Sequence, residues 1–225
     1  MAIKQHSFGY LLVGLLLLML SVAAAQEEGI MGKTRRLLLE PALCLMLLMG
    51  IWSLVNEKKW LIVGGGILAA SGVATATIDF FFNIPKLQLV NMCILLVFSL
   101  GSIWIASRHL LLSGAIDLNK IIGAVCIYLL LGLNWSVFYL FINMANPGSF
   151  HGLTSTAIGT QFSEFMYYSF VTITTVGYGD ITPAKPIART VANLEAIVGQ
   201  FYVAVLVAWL VGMYLSDKGR NRQNS

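Results

Sequence analysis

Long apolar runs dominate this chain, and they restrict it to a helical membrane fold. A helix needs about 20 mainly apolar residues to span a membrane. Six apolar runs in the chain are close to this length or longer. They cover about 7–25, 37–55, 60–78, 87–107, 121–144 and 187–215. Hydrophobic residues make up 58% of the chain and charged residues 11%, whereas soluble domains carry about 25% charged residues. The sequence therefore predicts an all-α membrane protein with six transmembrane helices.

A shorter apolar segment, about 162–174, lies between the last two runs and is too short to span a membrane. It leads into residues 174–180, which read Thr-Thr-Val-Gly-Tyr-Gly-Asp. Irregular backbone at membrane depth is tolerated only where it lines a cavity or is buried in protein. We therefore expect a re-entrant helix followed by a loop that lines a cavity.

The loop alternates glycines with larger side chains. Gly177 and Gly179 have no Cβ and can adopt positive φ, which lets backbone carbonyls turn toward a central axis. We expect the Val176 and Tyr178 side chains to point away from that axis and brace the loop. Thr175 can add a hydroxyl at its inner end.

This run resembles the filter sequence of potassium channels, in which backbone carbonyls replace the water shell of the ion. Residues 121–216 resemble the pore domain that the family shares, with an outer helix, a pore helix, a filter and an inner helix. The resemblance implies that Thr175, Val176, Gly177, Tyr178 and Gly179 form the filter. It places bound K⁺ at the first four of these residues.

The same resemblance assigns residues that support the filter. Asp180 falls on the acid that caps the outer mouth. Tyr167 and Tyr168 fall on a pair of aromatics, often tryptophans, that form a cuff and can hydrogen-bond this acid. An interfacial belt is the alternative for the tyrosines. Gly199 falls on the hinge glycine of the inner helix, and close packing against the pore helix would also explain it.

Glu195 lies well inside the last run, where an acid is costly and a functional role is the default expectation. It shares a helix face with Gly199 at a spacing of four residues. We expect it to support the filter from behind, through hydrogen bonds to hydroxyls of the pore helix. The candidate partners are Tyr168, Ser169, Thr172 and Thr174. The alternative is a neighbouring subunit or a water-filled crevice.

The chain carries one filter segment, whereas a potassium filter needs four, so we expect a homotetramer. The predicted division is a four-helix transmembrane region at 1–120, the pore domain at 121–216 and a short basic tail at 217–225. The fourth run has no arginine within it, and Arg108 stands only at its end. The first region is therefore not expected to sense voltage, which requires several charges within the membrane.

Basic residues indicate the orientation of the chain in the bilayer. With the N-terminus inside, three basic segments face the cytoplasm, whereas Lys33, Arg35 and Arg36 fall outside against the rule. The three segments contain Lys58 and Lys59, then Arg108 and Lys120, then Lys218, Arg220 and Arg222. The first run, which ends in Ala23-Ala24-Ala25, also fits a cleaved signal peptide. We expect a multi-pass protein of the plasma membrane, and the small size of the chain favours a bacterium.

The sequence favours a potassium-selective channel that conducts passively. The alternatives are a less selective cation channel and the ion-translocating subunit of a transporter, although that family usually carries four poor filter motifs in one chain. No nucleophile–base pair, nucleotide loop or His/Cys cluster occurs, so neither an enzyme nor a cofactor is expected. The basic residues flank apolar runs, which argues against binding to nucleic acid.

Overall fold

A computed structural model of the chain describes residues 8–24, 45–46, 49, 59–82, 85–112 and 118–223. The helices are α1 (Phe8–Ala24), α2 (Lys59–Phe82), α3 (Pro85–Leu112), α4 (Leu118–Ala145), α5 (Ile158–Ile173) and α6 (Pro186–Gln223). Two short strands pair antiparallel with each other: β1 (Phe150–His151) precedes α5 in the chain, and β2 (Thr182–Pro183) follows it. The strands were not predicted from the sequence.

The predicted helical membrane fold is confirmed. Within the described residues, three helical stretches are long and apolar enough to cross a membrane, namely Leu87–Arg108, Leu118–Ala145 and Pro186–Trp209. Phe8–Ala24 and Val63–Thr75 are shorter apolar helices. The run predicted at 37–55 lies outside the described residues, except for three helical positions at 45, 46 and 49. The number of spans therefore stays a prediction.

Helix α4 is the centre of the bundle. It packs against α1, α3, α5 and α6, whereas α2 packs against α3. Its side chains at Leu130, Val137 and Leu140 are completely buried, as expected of a helix surrounded by neighbours. The buried Asn134 accepts a hydrogen bond of 2.8 Å from the Ser99 hydroxyl of α3. This contact gives two buried polar groups a partner, and burial without one would be costly.

A group of aromatic rings fastens the loop before α5 to the bundle. Phe150 of β1 lies edge-on to Phe165 of α5, with ring centroids 4.8 Å apart, and 5.4 Å from Tyr139 of α4. Tyr168 completes the cluster at 5.0 Å from Tyr139. Edge-to-face pairs of this kind add to the energy of burial. The cluster therefore sets the position of β1 relative to α5.

Pairing of the two strands brings the loop before α5 against the loop that follows residue 180. Phe150 lies opposite Pro183, and His151 lies opposite Thr182. Gly152 follows with φ of 87°, and a Cβ at this position would lie 2.0 Å from the Asp180 carbonyl oxygen. Only glycine fits this approach. Pro186 then begins α6, where its missing N–H removes no helical hydrogen bond.

Candidate ion filter and its supports

The loop after α5 has the alternating backbone that the glycine pattern predicted. Gly177 and Gly179 have φ of 58° and 83°, and Thr175 also has a positive φ of 61°. A threonine in this region is unusual, since it costs roughly 1–2 kcal/mol. Left-handed residues that alternate with ordinary ones direct successive N–H groups to one side of the chain. The carbonyl groups are then turned to the other side.

The N–H groups of the loop are anchored to the end of α5. Val176 and Gly177 both donate to the Val171 carbonyl, at 2.9 and 3.2 Å. Thr175 donates to the Thr172 carbonyl at 2.9 Å. Since these donors are satisfied by the helix, the loop is held with its carbonyl oxygens available for a ligand.

The inner end of the loop is tied to the two long helices on either side of it. The Gln200 amide of α6 donates to the Thr175 hydroxyl at 3.4 Å. The Tyr128 hydroxyl of α4 donates to the Ile173 carbonyl at 3.1 Å. Neither residue was picked out from the sequence. Gln200 follows the predicted hinge position directly, but nothing in the local pattern links a glutamine on α6 to the loop.

The two tyrosines of the expected cuff have different partners. The Tyr167 hydroxyl hydrogen-bonds the Asp180 carboxylate, and this bond holds the pKa of Asp180 below its ordinary value. The Tyr168 hydroxyl bonds Thr172 instead, and its ring packs on Tyr139. Tyr168 is only 6% exposed. Of the pair, therefore, only Tyr167 contacts the acid at the end of the loop.

Glu195 is completely buried where α4, α5 and α6 meet. Its Oε1 lies 2.5 Å from the Ser169 hydroxyl of α5, and its Oε2 accepts a hydrogen bond from the Tyr139 hydroxyl of α4. Of the four hydroxyls expected to reach it, Ser169 is its partner in the structure. Tyr139 was missed, because it lies 56 positions away on a different helix, and nothing in the local pattern links it to Glu195.

Gly199 stands where α6 crosses the end of α5. A Cβ at this position would lie 2.5 Å from the Ile173 carbonyl oxygen and 2.6 Å from its Cγ1. Gly132 of α4 makes a similar approach, since its Cβ would lie 2.8 Å from the Phe170 ring. Close packing against α5 therefore accounts for both glycines, and Gly132 was not anticipated.

The outward face of the loop is uncovered within one chain. Residues 174–180 are all exposed, with Val176 at 53% and Tyr178 at 72%. The bracing expected of these two side chains is thus not supplied by the chain itself. Apolar and aromatic side chains exposed at a functional loop are typical of a surface that a partner covers.

Comparison with known proteins identifies the class. The family model described as "Ion channel" matches residues 121–216. "Protein LctB" of Geobacillus stearothermophilus is 30% identical over 112 residues, which cover 48% of this chain and 81% of that protein. "Two pore potassium channel c" of Oryza sativa subsp. japonica is 38% identical over 72 residues, or 32% of this chain.

The chain therefore belongs to the potassium channel family through this ion-channel domain, as the motif at 174–180 predicted. The matched domain is the one described for ion channels. The match spans only 15% of the length of the Oryza protein. No solved structure matches the chain.

Proposed function

We propose that the protein is a potassium-selective channel that conducts K⁺ passively through a homotetrameric pore in a plasma membrane. The observation that carries this proposal is the loop backbone, with positive φ at Thr175, Gly177 and Gly179 and with the N–H groups of residues 175–177 bound to α5. Carbonyls presented in this way replace the hydration shell of K⁺. Thr175, Val176, Gly177, Tyr178 and Gly179 are the proposed filter residues.

The homotetramer is proposed because one chain supplies only one of the four loops that surround the ion. Val176 and Tyr178, which are exposed in the single chain, would pack against the neighbouring copies around the axis. The negative end of the α5 dipole, near Thr174, would then be repeated four times about the cavity. This arrangement favours a cation in transit.

The division of labour along the chain follows from the packing. Residues 121–216 would form the pore domain, the helices within 1–120 would surround it and 217–225 would be the tail. Of the earlier helices, α1 and α3 pack directly on α4. Arg108 stands at the end of the Leu87–Arg108 stretch, and no charged side chain precedes it there. A voltage-sensing role is therefore not proposed for α3. The proposed location is the plasma membrane of a bacterium, and one of the relatives is a bacterial protein.

Glu195 is proposed to hold the filter from behind, and the hydrogen-bond count suggests how. The Ser169 hydroxyl lies within bonding distance of two acceptors, the Gly132 carbonyl at 2.7 Å and Glu195 Oε1. It has one proton and can donate to only one of them. If Glu195 carries a proton on Oε1, it donates this proton to the Ser169 oxygen, and the Ser169 hydroxyl donates its own proton to the Gly132 carbonyl. Every group is then satisfied, together with the bond from Tyr139.

Two further roles are proposed at the ends of the filter. Asp180, held by Tyr167, would stabilise the outer mouth, while the buried Tyr168 would fix α5 to α4. Gly199 would be the gating hinge of α6, at the level where α6 touches the end of α5. Close packing at Gly199 in this conformation does not conflict with bending of α6 at Gly199 in another state of the gating cycle.

The decisive experiment measures selectivity in purified protein reconstituted into planar bilayers. Under a K⁺/Na⁺ gradient, the reversal potential should lie close to that of a K⁺-selective membrane, and barium should block the current. Equal permeability to the two ions would support the less selective cation channel instead. Current that needs an added partner protein would support the transporter subunit. The mass of the protein in nanodiscs should correspond to four chains.

A further inference from the structure

A cavity of about 360 Å³ lies at the outer end of the structure, beside the filter. It opens between the loop before α5, the first half of α5 and the residues that follow the filter. Its lining is formed by Gly152, Thr154, Thr160, Glu164, Tyr167, Asp180 and Ile181. Most of these residues have an oxygen atom in the side chain, so the chemistry of the cavity differs from that of the apolar surfaces around it.

Glu164 supplies the feature that points to a ligand. The residue is only 8% exposed. Its Oε1 accepts bonds from the Thr154 backbone N–H at 2.8 Å and from the Thr154 hydroxyl at 2.5 Å. Its Oε2 is buried and has no hydrogen-bond partner among the described residues. A buried carboxylate oxygen without a partner is costly, and a positive charge beside it removes that cost.

A second carboxylate lines the same cavity. Tyr167 lies three residues after Glu164 on α5, so the two side chains share a face of the helix. The Tyr167 hydroxyl bonds the Asp180 carboxylate. Glu164, Tyr167 and Asp180 therefore all belong to the lining of the cavity.

The basic side chains of this region are engaged elsewhere. Lys185 donates to the Asn146 side chain at 3.1 Å and to the Pro147 carbonyl at 2.8 Å. Arg189 donates to the Pro183 carbonyl at 3.2 Å. Within the described part of the chain, neither of them lines the cavity. Two acidic residues thus line this cavity, and no basic residue of the described chain is among its lining residues.

We propose that this cavity binds a divalent cation of the Ca²⁺ type, with Glu164 and Asp180 as its anionic ligands. Ca²⁺ takes about 6–8 oxygen ligands, from carboxylates, hydroxyls, carbonyls and water, in flexible geometry. The two carboxylates favour a divalent ion over a monovalent one. Threonine hydroxyls of the lining and water complete the shell. Such an ion would link α5 to the outer end of the filter through Asp180.

Terbium luminescence tests the site, with Tb³⁺ as the probe for Ca²⁺ and Tyr167 as a sensitising ring in the cavity. The full chain is titrated in nanodiscs with a large excess of K⁺, which keeps the filter occupied. We expect saturable luminescence that Ca²⁺ displaces, with Glu164→Gln weakening Tb³⁺ affinity at least tenfold. Asp180→Asn should weaken it as well. The amide oxygen of the introduced glutamine side chain can still accept the bonds from Thr154, so the loop should remain in place.

The matched control is Asp217→Asn, which removes an acid at the other end of α6. It should leave Tb³⁺ affinity unchanged. The proposal is overturned if Glu164→Gln binds Tb³⁺ as the unmodified protein does, or if saturable binding does not occur. In the second case a bridging water would explain the Glu164 oxygen. Since luminescence requires no ion flow, its failure would not bear on potassium selectivity, and failed selectivity would not remove this site.

Discussion

Ser169 of α5 and Glu195 of α6 are joined side chain to side chain, with Ser169 Oγ 2.5 Å from Glu195 Oε1. Glu195 lies four residues before Gly199, the position at which α6 touches the last residue of α5. The loop of residues 174–180 follows directly. Because Tyr139 holds the other carboxyl oxygen, one buried side chain connects three helices behind the proposed filter.

Replacing Glu195 tests whether this connection steadies the filter. Glu195→Gln should change open times little, because an amide can donate to Ser169 and accept from Tyr139. Glu195→Ala should shorten openings and destabilise the assembly by about 1–3 kcal/mol, because the buried Tyr139 hydroxyl loses its acceptor while Ser169 keeps the Gly132 carbonyl. Single-channel recording and thermal unfolding measure the two effects. If both variants behave like the unmodified protein, Glu195 does not support the filter.

Gly177→Ala tests the backbone of the proposed filter. Nothing lies within 4 Å of a Cβ at Gly177, so the effect should come from the positive φ and not from a clash. We expect selective K⁺ current to disappear. Gly148→Ala is the matched control, since Gly148 has φ of 77° and the same open surroundings but lies outside the filter. Its strain should lower stability by roughly 1–2 kcal/mol and leave the K⁺/Na⁺ permeability ratio intact.

Gly199→Ala tests the crossing of α5 and α6. The added methyl would meet the Ile173 carbonyl, which is backbone and cannot rotate away. We expect a loss of about 1–3 kcal/mol in the stability of the folded protein. Gly212→Ala, on the same helix with nothing within 4 Å of its Cβ, should instead be neutral or stabilising by about 1 kcal/mol. Equal melting temperatures for the two variants would contradict the packing argument.

The hydrogen bond from Tyr167 to Asp180 predicts a pH dependence of the outer mouth. The bond lowers the pKa of Asp180. The stabilisation that this bond gives to the outer mouth is therefore fully present when the pH is above the ordinary aspartate pKa, about 4. It is lost as the pH falls through the lowered pKa of Asp180. Tyr167→Phe should move the acid inhibition of K⁺ current to higher pH. Tyr168→Phe is the control, since the Tyr168 hydroxyl bonds Thr172. An unchanged midpoint in Tyr167→Phe would count against this role for Asp180.

The apolar runs and the loop backbone were readable from the sequence, because both are local properties. A run of apolar residues predicts a membrane helix wherever it packs, and five of the six runs coincide with α1, α2, α3, α4 and α6. The left-handed positions at Gly177 and Gly179 follow from the missing Cβ. Thr175 was not expected to share that conformation, since its side chain argues against it.

The supports of the filter were decided by tertiary packing. Tyr167 and Tyr168 are neighbours in sequence, but successive helix positions point about 100° apart, so one reaches Asp180 and the other packs on Tyr139. The bond from Tyr139 to Glu195 joins residues 56 positions apart. Such contacts depend on how α4, α5 and α6 cross, and apolar runs do not encode crossing angles. The sequence alone therefore determined that this chain forms membrane helices around a filter-like loop. Only the packed structure decided which side chains hold that loop, because those contacts arise between helices and not within them.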